Sequence, residues 1–254
     1  MRALIFYFQM FTAIPINIEI KDPVQVFRRG VYLFSVFGLL FGLLMAGIYS
    51  GLRLFLSSDL AWLVTIVVDT VVTAGFHYDA LADTGDGLWS ARTPERMREI
   101  MQDSRIGSNG ALALICYYLL QWGLMGAALD QQVGRFGEVR LILGLYVVSR
   151  SALCALFQNY RYLSHKSQGM GSIIQGIERW RIGVAQGLAL CFIYVSVGLQ
   201  ALAAYLLVLV FVSYYRQFIY RRVGGLSGDT TGALALISQP VWLLLYLALT
   251  YYWH

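Results

Sequence analysis

Asp79, Asp83 and Asp86 fall within "HYDALADTGDGLW", residues 77 to 89, at the end of a hydrophobic run in a chain that otherwise avoids charge. On a helix turning about 100° per residue, the three carboxylates share an arc of about 60°. Carboxylates so close repel one another unless a cation neutralises them. Mg²⁺ suits such a row, because it binds through one or two carboxylates while substrate phosphates complete its shell. The plainer reading is a solvated helix end at a membrane surface.

Two further segments add groups that handle phosphate. In "EIMQDSRIGSNGALAL", residues 99 to 114, Asp103 offers a fourth carboxylate, Ser104 a hydroxyl and Arg105 a guanidinium. Gly107 and Gly110 permit close approach of backbone amides, and Ser108 or Asn109 is expected to cap a helix beginning near Ala111. A helix N-terminus after a glycine-containing turn attracts anions, and Arg grips phosphate with two donors. The plainer reading here is a surface turn with an ion pair. In "RRVGGLSGDTTGALALIS", residues 221 to 238, Gly224, Gly225, Gly228 and Gly232 surround Ser227, Asp229, Thr230 and Thr231. That density suggests a backbone approached by a ligand, against the simpler reading of a capped helix start. No GK[ST] is present, so it is not a Walker loop. A middle loop, "NYRYLSHKSQGMGS", contributes Arg161, His165 and Lys166 as anion or headgroup contacts. His77 is a candidate base, and its plainer role is that of a hydrogen-bonding partner.

The elements that must position these groups are membrane helices. The chain has 254 residues, 58% hydrophobic and 13% charged, with a mean hydropathy of +0.63; soluble domains carry about 25% charged residues. Apolar runs near 31–56, 60–76, 110–129, 141–157, 183–199, 201–219 and 236–252 approach the ~20 residues needed to cross a bilayer. The reading is therefore an all-α, polytopic bundle of about seven transmembrane helices, forming one domain over residues 1–254 without internal repeats. The fifth and sixth runs are nearly fused and break best at 198–200. The opening segment has no A-x-A cleavage pattern and contains Pro15, so it reads as an uncleaved segment lying at the interface. Cys116, Cys154 and Cys191 all lie in apolar runs and read as small buried hydrophobes.

Charge distribution orients the bundle. With the N-terminus in the cytoplasm and seven crossings, 15 of the 19 basic residues fall on the cytoplasmic side, as the positive-inside rule requires. The net charge of +5 is thus a topology signal, and no nucleic-acid partner is implied. The loops at 77–109, 158–182 and 220–235 then emerge on one face and can converge. Asp69 lies within a run, where an ionisable group is a functional candidate; pairing with Arg150 inside the bundle is the simpler expectation.

These segments together resemble one family, the cobalamin synthases (adenosylcobinamide-GDP ribazoletransferases). The resemblance rests on "HYDALADTGDG", "RMREIMQDSRIG" and "GGLSGDTTGA", with "FTAIP", "GLLFGLL" and "SRSAL" aligning in order. Ala80 stands where the family usually has Gly, and Gly85 where Ala is common; neither change removes a carboxylate. The resemblance implies a bacterial inner-membrane enzyme with its N-terminus and catalytic loops in the cytoplasm. It would convert adenosylcobinamide-GDP and α-ribazole, or α-ribazole 5′-phosphate, into adenosylcobalamin or its 5′-phosphate and GMP, using Mg²⁺. Asp79, Asp83, Asp86 and Asp103 would hold the metal. Ser104, Arg105, Gly107, Gly225, Gly228 and Thr230 would bind substrate phosphate. Asp229 would act as base or metal ligand, with His77 as the alternative base. Partners beyond the substrates and the lipid bilayer stay open, including a homo-oligomer or other cobalamin-assembly enzymes.

Competing classes fit less well. Prenyltransferases want paired Asp-rich motifs, whereas the second segment has one Asp followed by Ser-Arg. CDP-alcohol phosphotransferases want Asp-Gly-x-x-Ala-Arg, where this chain reads "DALADT". A transporter would place acids at the bilayer midplane and show repeats, and only Asp69 favours it.

Overall fold

The computed structural model describes residues 1–132, 134–158 and 173–252. Within them the fold is all-helical. The α-helices are α1 (Arg2–Phe11), α2 (Pro23–Gly30), α3 (Phe34–Leu52), α4 (Ser58–Val72), α5 (Phe76–Trp89) and α6 (Pro94–Met101). They continue as α7 (Ser108–Asp130), α8 (Gly134–Leu156), α9 (Arg179–Ser196), α10 (Leu199–Val223) and α11 (Gly228–Tyr252). The middle-loop residues Arg161, His165 and Lys166 lie outside the described residues.

α8 is the hub, packing against α3, α11, α9 and α10. Its tight seam with α3 follows from small residues one helical turn apart. A Cβ on Gly38 would stand 2.9 Å from the Tyr146 carbonyl oxygen, and one on Gly42 would stand 3.2 Å from the Tyr146 Cβ. Close backbone approach of this kind is how helices associate where lipid removes the hydrophobic drive between them. Large apolar side chains such as Leu43, Val67, Ile115, Leu119, Val210 and Leu244 point outward. That is the inversion expected of a lipid-facing surface, since soluble monomers rarely expose such broad apolar area. Of the three cysteines, Cys154 is buried as expected, but Cys116 and Cys191 are exposed on the outer surface.

The all-helical membrane bundle is as expected, and the count of about seven spans is matched only in part among the described residues. Among the described residues, five helical segments are long and apolar enough to cross: Pro23–Leu52, Ser108–Asp130, Phe136–Leu156, Leu199–Val223 and Gly228–Tyr252. The run at 60–76 instead ends in a sharp bend, α5 leaving α4 at 90°; counting that pair as one broken span gives six. The bend is made by two successive left-handed residues, Ala74 (φ 50°) and Gly75 (φ 69°). It is closed by the Gly75 N–H donating to the Thr70 carbonyl at 2.8 Å. The run at 183–199 forms α9, whose first turn carries Arg179 and Arg181. Its uncharged remainder is about 22 Å long at 1.5 Å per residue, short of a ~30 Å hydrocarbon core. The break after it falls where expected, at Gly198 with φ 109°.

Candidate active site

The α5 carboxylates grade from solvent into the bundle: Asp79 is exposed, Asp83 half-buried and Asp86 buried. The α11 N-terminus meets this face. Gly232 packs so closely on α5 that a Cβ there would lie 2.7 Å from the Ala80 Cβ. This contact brings Asp229, in the first turn of α11, into the field of the row. Asp83 feels the charges of Asp79, Asp229 and Asp86, all three acidic, and Asp229 in turn feels Asp79. The helix N-terminus favours an acid at Asp229, but nothing comparable offsets Asp83.

Asp86 has a partner that sequence reasoning missed. Its Oδ2 accepts from the Gly107 N–H at 2.7 Å, and its Oδ1 from the Gly110 N–H at 2.8 Å. α7 begins at Ser108, with Gly107 as N-cap and no side-chain cap of its own. The expected cap by Ser108 or Asn109 near Ala111 is therefore replaced by a carboxylate from another helix, which satisfies two of the orphan N–H donors. A Cβ on either Gly107 or Gly110 would collide with that carboxylate. The glycines do admit a close anion, and here it is the chain's own. The Gly107 amide, expected to hold phosphate, serves Asp86 in this arrangement.

Asp103 and Arg105 also turn to each other. Asp103 Oδ1 accepts from the Arg105 backbone N–H and Nε, each at 3.1 Å, and Oδ2 from Nη2 at 2.8 Å. The guanidinium bonds hold the Asp103 carboxyl down at about 2. Arg105 remains 85% exposed, so its fork projects into solvent beside the turn. Ser104 is exposed next to it.

The glycine segment resolves into distinct jobs. Gly224 ends α10 in a left-handed conformation, φ 90°. Ser227 and Thr230 cap α11 reciprocally: Ser227 N–H donates to Thr230 Oγ1 at 2.8 Å and Thr230 N–H to Ser227 Oγ at 3.1 Å. Thr230 is fully buried, and its carbonyl accepts from the Tyr215 hydroxyl at 2.6 Å. Thr230, expected to bind phosphate, serves the helix cap in this arrangement. Gly225 is buried. Gly228 borders open space, with nothing within 4 Å of a Cβ built on it. Arg98, on α6, ties the segment down by donating to the Val223 carbonyl at 2.7 Å.

His77 does not join the carboxylates. It is 1% exposed, lies on the face of α5 away from Asp79, and stacks on Phe11 at 5.6 Å and 11°. With Phe27, Phe76, Leu153 and Phe157 it lines a small apolar cavity. His77, the expected alternative base, is thus placed apart from the carboxylate row as a buried packing residue. Asp69 is likewise internal. Its Oδ2 accepts from the Tyr78 hydroxyl at 2.9 Å, and Arg150 acts on it through its charge. Arg150 itself bonds Ser149 and lies over Phe41. The expected pairing is therefore electrostatic, with Tyr78 making the direct contact.

The donor set partly fits a divalent cation. Asp79, Asp83, Asp86 and Asp229 are hard oxygen donors gathered without a basic side chain among the charges acting on Asp83. As the side chains stand, no three acidic, His or Cys groups among the described residues converge into a cradle. One or two carboxylates with phosphate oxygens and water would complete a Mg²⁺ shell.

Residues 3–248 match the family model described as CobS, cobalamin-5-phosphate synthase. The chain belongs to the CobS family. Curated relatives carry the name adenosylcobinamide-GDP ribazoletransferase. One from Listeria monocytogenes serotype 4a is 36% identical over 95% of each chain. One from Clostridium novyi is 33% identical over 96% of each, and one from Shigella boydii is 34% identical over 86% of this chain and 87% of its own. No solved structure matches the chain. Within this CobS protein the two departures from the family pattern fall at helix contacts. Ala80 abuts Gly232, and a Cβ on Gly85 would lie 2.8 Å from the Ala113 Cβ.

Proposed function

We propose that this chain is an adenosylcobinamide-GDP ribazoletransferase acting at the cytoplasmic face of a bacterial inner membrane. Family membership over residues 3–248 and the names of relatives such as that from Listeria monocytogenes support the reaction. With the seven crossings expected from the sequence, the basic residues cluster in one set of loops, which supports the orientation. A ribose hydroxyl of α-ribazole, or of its 5′-phosphate, attacks the phosphorus proximal to cobinamide. The new P–O bond forms as the bond to the bridging oxygen breaks, GMP leaves with that oxygen, and the hydroxyl proton passes to a base.

The reading rests on one observation: the α11 start packs on α5 through Gly232 and Ala80, and Asp83 lies in the field of the Asp79, Asp229 and Asp86 charges. Phosphoryl transfer needs alignment and charge neutralisation more than covalent chemistry. Mg²⁺, held by Asp79 and Asp83 with phosphate oxygens completing its shell, would supply that neutralisation at the diphosphate. Asp229 would accept the hydroxyl proton. Asp86 holds the start of α7, and Arg105 exchanges Asp103 for a phosphate oxygen when substrate arrives. Gly228 leaves room for the substrate backbone or sugar.

The test is turnover of purified protein in liposomes, supplied with adenosylcobinamide-GDP and α-ribazole, following GMP and cobalamin with and without Mg²⁺. Metal-dependent product that is lost in Asp83→Asn supports the proposal. No product from well-folded wild type overturns it.

A further inference from the structure

A second cationic site lies at the opposite end of α1 from Phe11. A shallow, open recess of about 510 Å³ lies between α1 and α2, lined by Arg2, Lys21 and Arg29 together with Asp22, Gln25 and Tyr32. The three basic side chains are exposed. Elsewhere Arg53, Arg96, Arg98, Arg105 and Arg181 each engage a carboxylate. Arg2, Lys21 and Arg29 make no ion pair among the described residues. Glu178, whose charge reaches Arg29, is already bonded by Arg181. Three cations therefore surround one pocket with Asp22 as the acid on its wall.

The recess lies at the end of a candidate span, where headgroups are expected. α2 is the leading end of the candidate span Pro23–Leu52, and the exposed apolar side chains of Ile18 and Val24 flank it. Basic side chains at such a boundary attract anionic lipid at short range, and arginine matches phosphate oxygens with paired donors. We infer that this pocket binds the phosphodiester headgroup of an anionic phospholipid. The headgroup would bridge the loop carrying Lys21 to the first turn of α1. The same helix rests on α2 through Ala3 and Gly30, which touch so closely that a Cβ on Gly30 has no room. The inference is independent of the reaction proposed above.

The test compares wild type with the triple variant Arg2→Gln/Lys21→Gln/Arg29→Gln, all at exposed positions, in nanodiscs of phosphatidylcholine with or without phosphatidylglycerol. Arg140→Gln, at the far end of the bundle, controls for one lost charge. Retained lipid is read by native mass spectrometry after mild extraction. Wild type and Arg140→Gln should retain phosphatidylglycerol over phosphatidylcholine, and the triple variant should lose about tenfold or more of that preference. Equal retention of both lipids by wild type, or an unchanged preference in the triple variant, overturns the inference. So does displacement of phosphatidylglycerol by millimolar inorganic phosphate, which would make the pocket a soluble-phosphate site.

Discussion

Tyr78 donates its hydroxyl to Asp69 Oδ2 at 2.9 Å, joining α5 to α4 across the bend that separates them. Both residues are buried, and Tyr78 immediately precedes the first carboxylate of the row. The bond therefore fixes the angle at which that row is presented. Tyr78→Phe should cost about 1–3 kcal/mol, the penalty for stranding a buried acceptor, seen as a lower unfolding midpoint in detergent. Phe keeps the ring's contacts with Tyr117 and Tyr118, so an unchanged midpoint would show that the hydrogen bond holds nothing.

Removing Asp86 should separate its structural task from a metal task. Asp86→Ala strands two N–H groups at the start of α7, for an expected loss of about 1–3 kcal/mol per donor. Asp86→Asn keeps one acceptor oxygen and should fold better than the alanine variant. On the proposed Mg²⁺ role, an asparagine variant whose turnover responds to Mg²⁺ as wild type does would show that the residue acts by holding α7. A shift of that dependence would make it a ligand.

Gly110→Ala and Gly228→Ala should differ sharply. A Cβ at Gly110 would meet the Asp86 carboxylate and lie 2.8 Å from the Ala82 carbonyl oxygen, both fixed. The Gly110 variant should therefore express poorly or unfold early. Gly228 has open space around it, so Gly228→Ala should fold normally. A rise in KM with unchanged stability would then report substrate passing that point.

Asp83→Asn should lower turnover on the order of 10²-fold or more while leaving the fold intact, because it removes one of several mutually repelling charges. Saturating Mg²⁺ should recover part of the loss if Asp79 and Asp229 still bind the ion. A magnesium titration of the initial rate distinguishes this from a general defect.

The Asp103–Arg105 pair should be insensitive to mild acid. Its carboxyl is depressed to about 2, so the pair is present above the unfolded value and is lost only as pH falls through about 2. Asp103→Asn should therefore leave the acid limb of the pH–rate profile between about pH 4 and 7 where it is in wild type. A displaced limb would show that Asp103 titrates with substrate instead.

What could be read from the residues follows from periodicity. Asp79, Asp83 and Asp86 share a face because seven residues make almost two helical turns, and Asp229 stands out because acids are favoured where a helix begins. Distance in the chain hid the rest. The partner of Asp86 lies across a turn at Gly107 and Gly110, and nothing local distinguishes a glycine that admits a ligand from one that admits a neighbouring side chain. His77 reads as a base beside an acid, yet a step of two positions on a helix carries it to the opposite face, under Phe11. The run at 60–76 reads as a span because hydropathy does not register the left-handed pair at Ala74 and Gly75.

That pair of residues has a consequence for how a bulky, water-soluble molecule could be handled at all. Since α5 leaves α4 at a right angle, the path from Asp79 to Asp86, about 10 Å along the helix, runs sideways relative to α4. The carboxylates are thereby laid out as a shelf and not as a shaft. A substrate whose reactive phosphates hang from a wide ring system can be served along such an edge while the ring itself stays in water.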